Sequence, residues 1–66
     1  MTPAEVVIKE LGVRPLAREL NVYPSCITRW RTRGGNVPDE HKKKILEIAG
    51  GKITAEEMIY GRPDAN

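Results

Sequence analysis

Four polar side chains near the middle of the chain have the types and spacing that suit contacts with nucleic-acid bases. Ser25, Thr28, Arg29 and Thr32 share one face if the segment is helical. Arginine pairs with the N7 and O6 atoms of guanine, while serine and threonine bond to several base edges or touch the methyl group of thymine. Short hydroxyls beside one long cation reach base edges without filling a groove. This face is therefore a candidate for reading DNA in the major groove.

Arginine is concentrated around this face. Residues 14–33 contain five arginines and one glutamate, a net charge of +4 (5 − 1). The rest of the 66-residue chain holds six lysines or arginines against eight acidic residues, a net charge of −2 (6 − 8). Arginine suits forked bonding to phosphate, and we expect contacts with the DNA backbone from Arg14, Arg18, Arg31, Thr32 and Arg33. The lysines at 42–44 fit a solvated helix face, with phosphate contact as the alternative.

A steep turn between two short helices would hold the polar face outward. The spacing predicts one helix over residues 14–20 and another over residues 24–32, which begins at Pro24. Such a crossing needs a small residue, here Ala17, and a turn residue that accepts positive φ, here Asn21. The apolar residues that would fill the crossing are Leu16, Leu20, Val22, Ile27 and Trp30. On the second helix, the residues expected to face the core or its margin are Tyr23, Cys26, Ile27 and Trp30.

Three further helices are predicted from their end signals. Residues 2–5 and 54–57 are capping boxes, and residues 38–40 combine a proline with two acids where the helix dipole favours them. These signals predict a five-helix, all-α domain over residues 1–61 and a flexible tail over residues 62–66. A short strand at residues 52–54 is the alternative to helix near the end of the domain.

Composition excludes several other classes of protein. A chain of 66 residues builds one small core, which leaves little room for a catalytic cleft. One cysteine and one histidine form neither a disulfide framework nor a four-ligand zinc site within a monomer. No apolar stretch approaches the length needed to span a bilayer. We expect a cytoplasmic protein that is not an enzyme and has no cofactor, metal or small-molecule ligand.

The run Leu20-Asn21-Val22-Tyr23-Pro24-Ser25-Cys26-Ile27-Thr28-Arg29-Trp30 resembles the helix-turn-helix of the phage Cro repressors. Arg33-Gly34-Gly35, Val37-Pro38 and residues 50–54 extend the similarity to the all-helical Cro and YdaS-like regulators of prophages. The resemblance covers about residues 4–60. It implies a lambda-repressor-like domain that occupies an operator by placing residues 24–32 in the major groove. It also implies base contacts from Ser25, Thr28 and Arg29, with Tyr23 against the DNA backbone.

The chain departs from the family pattern at two positions. Asn21 stands where glycine is usual, a change that the turn should accept at small cost. Pro24 stands where a glutamine often reads a base, so base readout would depend more on Ser25, Thr28 and Arg29. We expect a weak homodimer, formed on double-stranded DNA, through Ile53, Met58, Ile59 and Tyr60, although these residues could equally close the core. The main alternative function is an antitoxin-like or adaptor module that binds another protein.

Overall fold

The computed structural model describes residues 1–63. Five α-helices follow one another, α1 (Pro3–Leu11), α2 (Val13–Leu20), α3 (Pro24–Thr32), α4 (Asp39–Ala49) and α5 (Ala55–Tyr60). Within this part of the chain there is no strand, so the predicted all-α fold is confirmed and the alternative of a strand at residues 52–54 is wrong.

Local hydrogen bonds start the first and last helices as the sequence predicts. The Thr2 N–H donates to Glu5 Oε1 at 2.8 Å, and the Glu5 N–H donates back to Thr2 Oγ1 at 3.3 Å. Thr54 and Glu57 form the same reciprocal pair, at 3.0 and 3.2 Å. Each box satisfies donors that a helix N-terminus otherwise leaves without a partner.

Every helix contributes to one apolar core. The largest fully buried side chains are Val6 and Val7 of α1, Leu16 of α2, Ile27 of α3, Ile45 of α4 and Met58 of α5. Helix α1 packs against the other four helices. Burial of each such side chain contributes about 1.5–3 kcal/mol, so a few contacts hold a domain of this size. The position of α3 is therefore fixed by the same core that stabilises the whole fold.

The predicted dimer surface is divided by this core. Ile53 and Met58 are buried, with 3% and 2% of their surface exposed. Ile59 and Tyr60 remain outside, at 55% and 81%. Ile53 and Met58 lie on either side of the capping box and pack into the core together. Of the four residues predicted for the dimer surface, Ile59 and Tyr60 therefore stay candidates for contact with a second copy.

Arg62 is bound to the domain, which corrects the expectation of a flexible tail from this residue onward. Its guanidinium contacts Glu57 Oε2 at 2.7 Å and Glu10 Oε2 at 2.9 Å. The backbone N–H of Arg62 donates to the Met1 carbonyl at 2.9 Å. Glu10 and Met1 come from the other end of the chain, so the sequence near Arg62 does not reveal these two partners. The rest of the expected tail, residues 64–66, lies outside the described residues.

Candidate nucleic-acid interface

The turn between α2 and α3 has the conformation that the sequence predicts. Asn21 adopts φ 56° and ψ 46°, the left-handed region. Its N–H donates to the Arg18 carbonyl at 3.3 Å, and the Val22 N–H donates to the Ala17 carbonyl at 3.0 Å. These two bonds form a Schellman motif, which ends a helix by reversing the chain over its last turn. The motif sets the direction in which the chain leaves α2 and enters α3.

Apolar residues hold the two helices together at this crossing. Leu16 and Ile27 are completely buried, and Ala17 has 3% of its surface exposed. Leu20, Val22 and Trp30 are half-buried and pack against the same cluster. The predicted roles of these residues in the crossing are thus confirmed.

The predicted polar face lies outward on α3. Ser25, Thr28, Arg29 and Thr32 are all exposed, on the side of the helix opposite the buried Ile27. Within residues 1–63, Ser25 makes no side-chain hydrogen bond, so its hydroxyl keeps both its donor and its acceptor capacity. The fold therefore presents one continuous row of polar side chains on its outer surface.

The two threonines of this row use their hydroxyl protons within α3. Thr28 Oγ1 donates to the Pro24 carbonyl at 3.3 Å, and Thr32 Oγ1 donates to the Arg29 carbonyl at 2.9 Å. A hydroxyl that donates to its own helix still accepts hydrogen bonds, and threonine keeps its methyl group. In this arrangement Thr28 can accept from an amino group of a base or contact a thymine methyl.

The five arginines of residues 14–33 are exposed, and none forms an ion pair within the described part of the chain. Arg14 and Arg18 are four residues apart on α2, so they share one face of that helix. Arg31 lies towards α1. The pKa of Glu5 is lowered chiefly by its hydrogen bonds with Thr2, and the charge of Arg31 adds a smaller effect. Apart from this longer-range attraction between Glu5 and Arg31, no carboxylate of residues 1–63 is paired with the arginines of this surface.

Tyr23 does not belong to the apolar face of α3, which corrects part of the predicted inward stripe. It is 78% exposed. Tyr23 is the N-cap residue, with φ −75° and ψ 144°, so its extended backbone breaks the helical spacing on which that prediction relied. The exposed ring is free to approach a DNA backbone, and that role remains a prediction.

The lysines of α4 lie on a mostly solvated face. Lys42 Nζ contacts Asp39 Oδ1 at 2.7 Å, which also lowers the pKa of Asp39. Lys43 and Lys44 are exposed. Phosphate contact by these residues remains an alternative.

One feature beside the polar face escaped prediction from the sequence. Arg29, Trp30 and Arg33 line an open groove of about 390 Å³ together with residues of the loop after α3, Asn36, Val37 and Pro38. The pair of glycines before Asn36 indicates a loop, but the direction in which that loop returns depends on contacts with α1.

No family model, curated protein or solved structure matches this chain. The resemblance to Cro-type regulators therefore depends on the residues quoted above. Within residues 1–63, no helix has the length and apolar character needed to cross a membrane. No three histidine, cysteine, aspartate or glutamate side chains of these residues come together as a possible metal site.

Proposed function

We propose that this protein is a sequence-specific regulator of transcription that binds double-stranded DNA in the manner of a phage or prophage Cro-like repressor. It would act in the cytoplasm of a bacterial host by placing α3 in the major groove of an operator. The observation that carries the proposal is the left-handed turn at Asn21. This turn leaves Ser25, Thr28 and Arg29 exposed together opposite the buried Ile27.

Base readout is assigned to three side chains of that face. Arg29 suits the two acceptors of guanine, and Ser25 can donate or accept at several base edges. Thr28 would discriminate as an acceptor and through its methyl group, because its proton is engaged by the Pro24 carbonyl. An operator half-site should therefore contain a guanine opposite Arg29.

Contacts with phosphate are assigned to exposed side chains around the reading face. Within residues 1–63 no carboxylate forms an ion pair with these arginines, so their guanidinium groups are available to phosphate. Such contacts position a protein on DNA and make its affinity depend on salt. The assigned residues are Arg14, Arg18, Tyr23, Arg31, Thr32 and Arg33.

Two copies on one operator would supply the affinity that a single domain lacks. One domain of this size buries roughly 600–1,000 Å² on DNA. Two copies bound to half-sites about one helical turn apart double that area. Ile59 and Tyr60 are the exposed apolar side chains through which the copies could touch.

Selection of bound sequences from a random DNA pool tests the proposal. We expect an enriched, near-palindromic site with guanine in each half. Arg29→Ala should then lose about 1–3 kcal/mol of discrimination between that site and random DNA. Arg33→Ala should weaken binding to both DNAs alike and reduce the slope of log K against log salt by about one. A pool that shows no enrichment would refute the proposal.

The second candidate function is a module that binds another protein. It is favoured by the exposed Ile59 and Tyr60 on α5, since protein partners use apolar anchors of this kind. The outward face of α3 offers no such anchor. Retention on random duplex DNA with steep elution by salt would distinguish DNA binding from this alternative.

A further inference from the structure

The groove beside α3 combines cationic and apolar walls. Its cationic side is formed by the exposed Arg29 and Arg33, and its other walls include Trp30, Val37 and Pro38. The volume of about 390 Å³ lies at the lower end of the range for small-molecule sites, roughly 300–1,000 Å³. Such sites usually pair apolar walls with a few convergent polar groups. This groove has that composition.

Backbone hydrogen bonds build the groove from two sides. The Arg33 N–H donates to the Arg29 carbonyl at 3.0 Å, which places these two residues one helical turn apart on the same flank. The Gly35 N–H donates to the Trp30 carbonyl at 2.9 Å, and the Ala4 N–H donates to the Gly35 carbonyl at 2.8 Å. These bonds return the loop over the end of α3 and attach it to α1. The groove is therefore a fixed part of the fold.

The lining selects for negative charge. Neither Arg29 nor Arg33 has an acidic partner within the described residues. A guanidinium binds a carboxylate or phosphate through two parallel hydrogen bonds. An anion in the groove would therefore meet two cations that no acidic side chain already neutralises.

The lining also offers an apolar surface to a ligand. The Trp30 indole is half-buried, with its ring centroid 5.8 Å from that of His41, and Val37, which also lines the groove, has only 3% of its surface exposed. An aromatic ring packs favourably against indole and aliphatic walls. The two arginines and the apolar walls together favour a ligand that has both a ring and an anionic group.

We propose that this groove binds a small flat aromatic anion and that the bound ligand opposes DNA binding. The ligand would oppose DNA binding because Arg29 belongs both to the groove and to the polar face of α3. An anion that engages its guanidinium removes it from guanine. This coupling rests on the proposed function, whereas ligand binding itself does not. The proposal replaces the sequence-based expectation of no small-molecule ligand.

Trp30 supplies a direct readout, since it is the only tryptophan of the chain. Benzoate should change its fluorescence saturably when titrated into the free protein. Acetate, which has the anion without the ring, and benzyl alcohol, which has the ring without the anion, should each bind at least about tenfold more weakly. A change that does not saturate, or that is equal for all three compounds, would overturn the proposed site.

A pair of arginine variants locates the site. Arg33→Gln should weaken benzoate binding by about tenfold or more, because one charge-assisted contact is lost. Arg14→Gln is the matched control, since Arg14 is equally exposed but lies on α2 outside the groove. It should leave benzoate binding unchanged. Equal losses in the two variants would contradict a specific site, and circular dichroism verifies that both remain folded.

Competition with DNA is measured separately, on the sequence selected from the random pool. At constant ionic strength, benzoate should raise the apparent Kd for DNA, and acetate should not. If DNA binds but benzoate leaves its Kd unchanged, the proposed coupling is wrong. If benzoate binds but no DNA does, the site stands, and both the coupling and the proposed function fail.

Discussion

Replacement of Asn21 by alanine measures how much the turn before α3 depends on its left-handed residue. Among residues 1–63, Asn21 is the only residue other than glycine with positive φ. Its side chain is exposed and makes no hydrogen bond in this part of the chain, so the substitution removes no packing. Left-handed backbone costs an ordinary residue about 1–2 kcal/mol, and asparagine avoids part of that cost. We therefore expect Asn21→Ala to lower the free energy of unfolding by about 1 kcal/mol.

The expected loss is measurable and leaves the protein folded. A domain of this length is stable by about 3–10 kcal/mol, and a change of 1 kcal/mol shifts its Tm by about 4–8 °C. Thermal unfolding followed by circular dichroism would detect this shift. Asn21→Gly should unfold at or above the temperature of the original protein, since glycine accepts the same φ freely.

Asn36→Ala is the matched control, because Asn36 is also an exposed asparagine but does not have positive φ. Its Tm should stay within about 2–4 °C of the original protein, by the usual scale of surface substitutions. A Tm for Asn21→Ala that equals that of Asn36→Ala would refute the argument. So would a Tm for Asn21→Gly below that of Asn21→Ala.

Three other predictions concern the stability of the fold. Leu16→Ala should remove about 3–5 kcal/mol, because Leu16 is fully buried, and a urea midpoint shift worth under about 1 kcal/mol would contradict its place in the core. The pKa of Glu57 is lowered first by its hydrogen bond with Arg62, so this stabilisation exists above the unfolded pKa and is lost as pH falls through the folded one. Arg62→Gln should therefore lower Tm at neutral pH and converge with the original protein in acid; a constant difference would be evidence against the pair. Gly35→Ala should destabilise more than Gly34→Ala in denaturant titrations, since both have positive φ but only a Cβ at Gly35 collides with the capping threonine of α1; equal losses would exclude that collision.

The helices were predictable because their ends are set by nearby residues. Thr2 and Thr54 each bond to a glutamate three residues ahead, and the structure contains both pairs. Asn21 ends α2 through bonds to carbonyls within the preceding turn. Interactions between residues three to five positions apart can be predicted from the sequence, because both partners lie in the same short segment. The five-helix, all-α fold follows from such signals together with apolar spacing.

Predictions that assumed regular spacing beyond a helix end were less successful. Helical spacing with Cys26, Ile27 and Trp30 predicts that Tyr23 faces the core or its margin, but Tyr23 precedes α3 and is exposed. The sequence leaves Ile53 and Met58 open to either the core or a dimer, and the structure buries both in the core cluster. A helical repeat describes only the residues that share one helix.

The outward row formed by Ser25, Thr28 and Arg29 was readable from residue order, since a single helix with one apolar side must turn its polar side to solvent. The sequence did not predict that Arg62 is held between Glu10 and Glu57. It also did not predict the groove that Arg29 lines together with the loop after α3. Both features depend on where α1 lies. Helix α1 is positioned by contacts with all the other helices, and contacts between residues distant in the chain form only when the whole core closes.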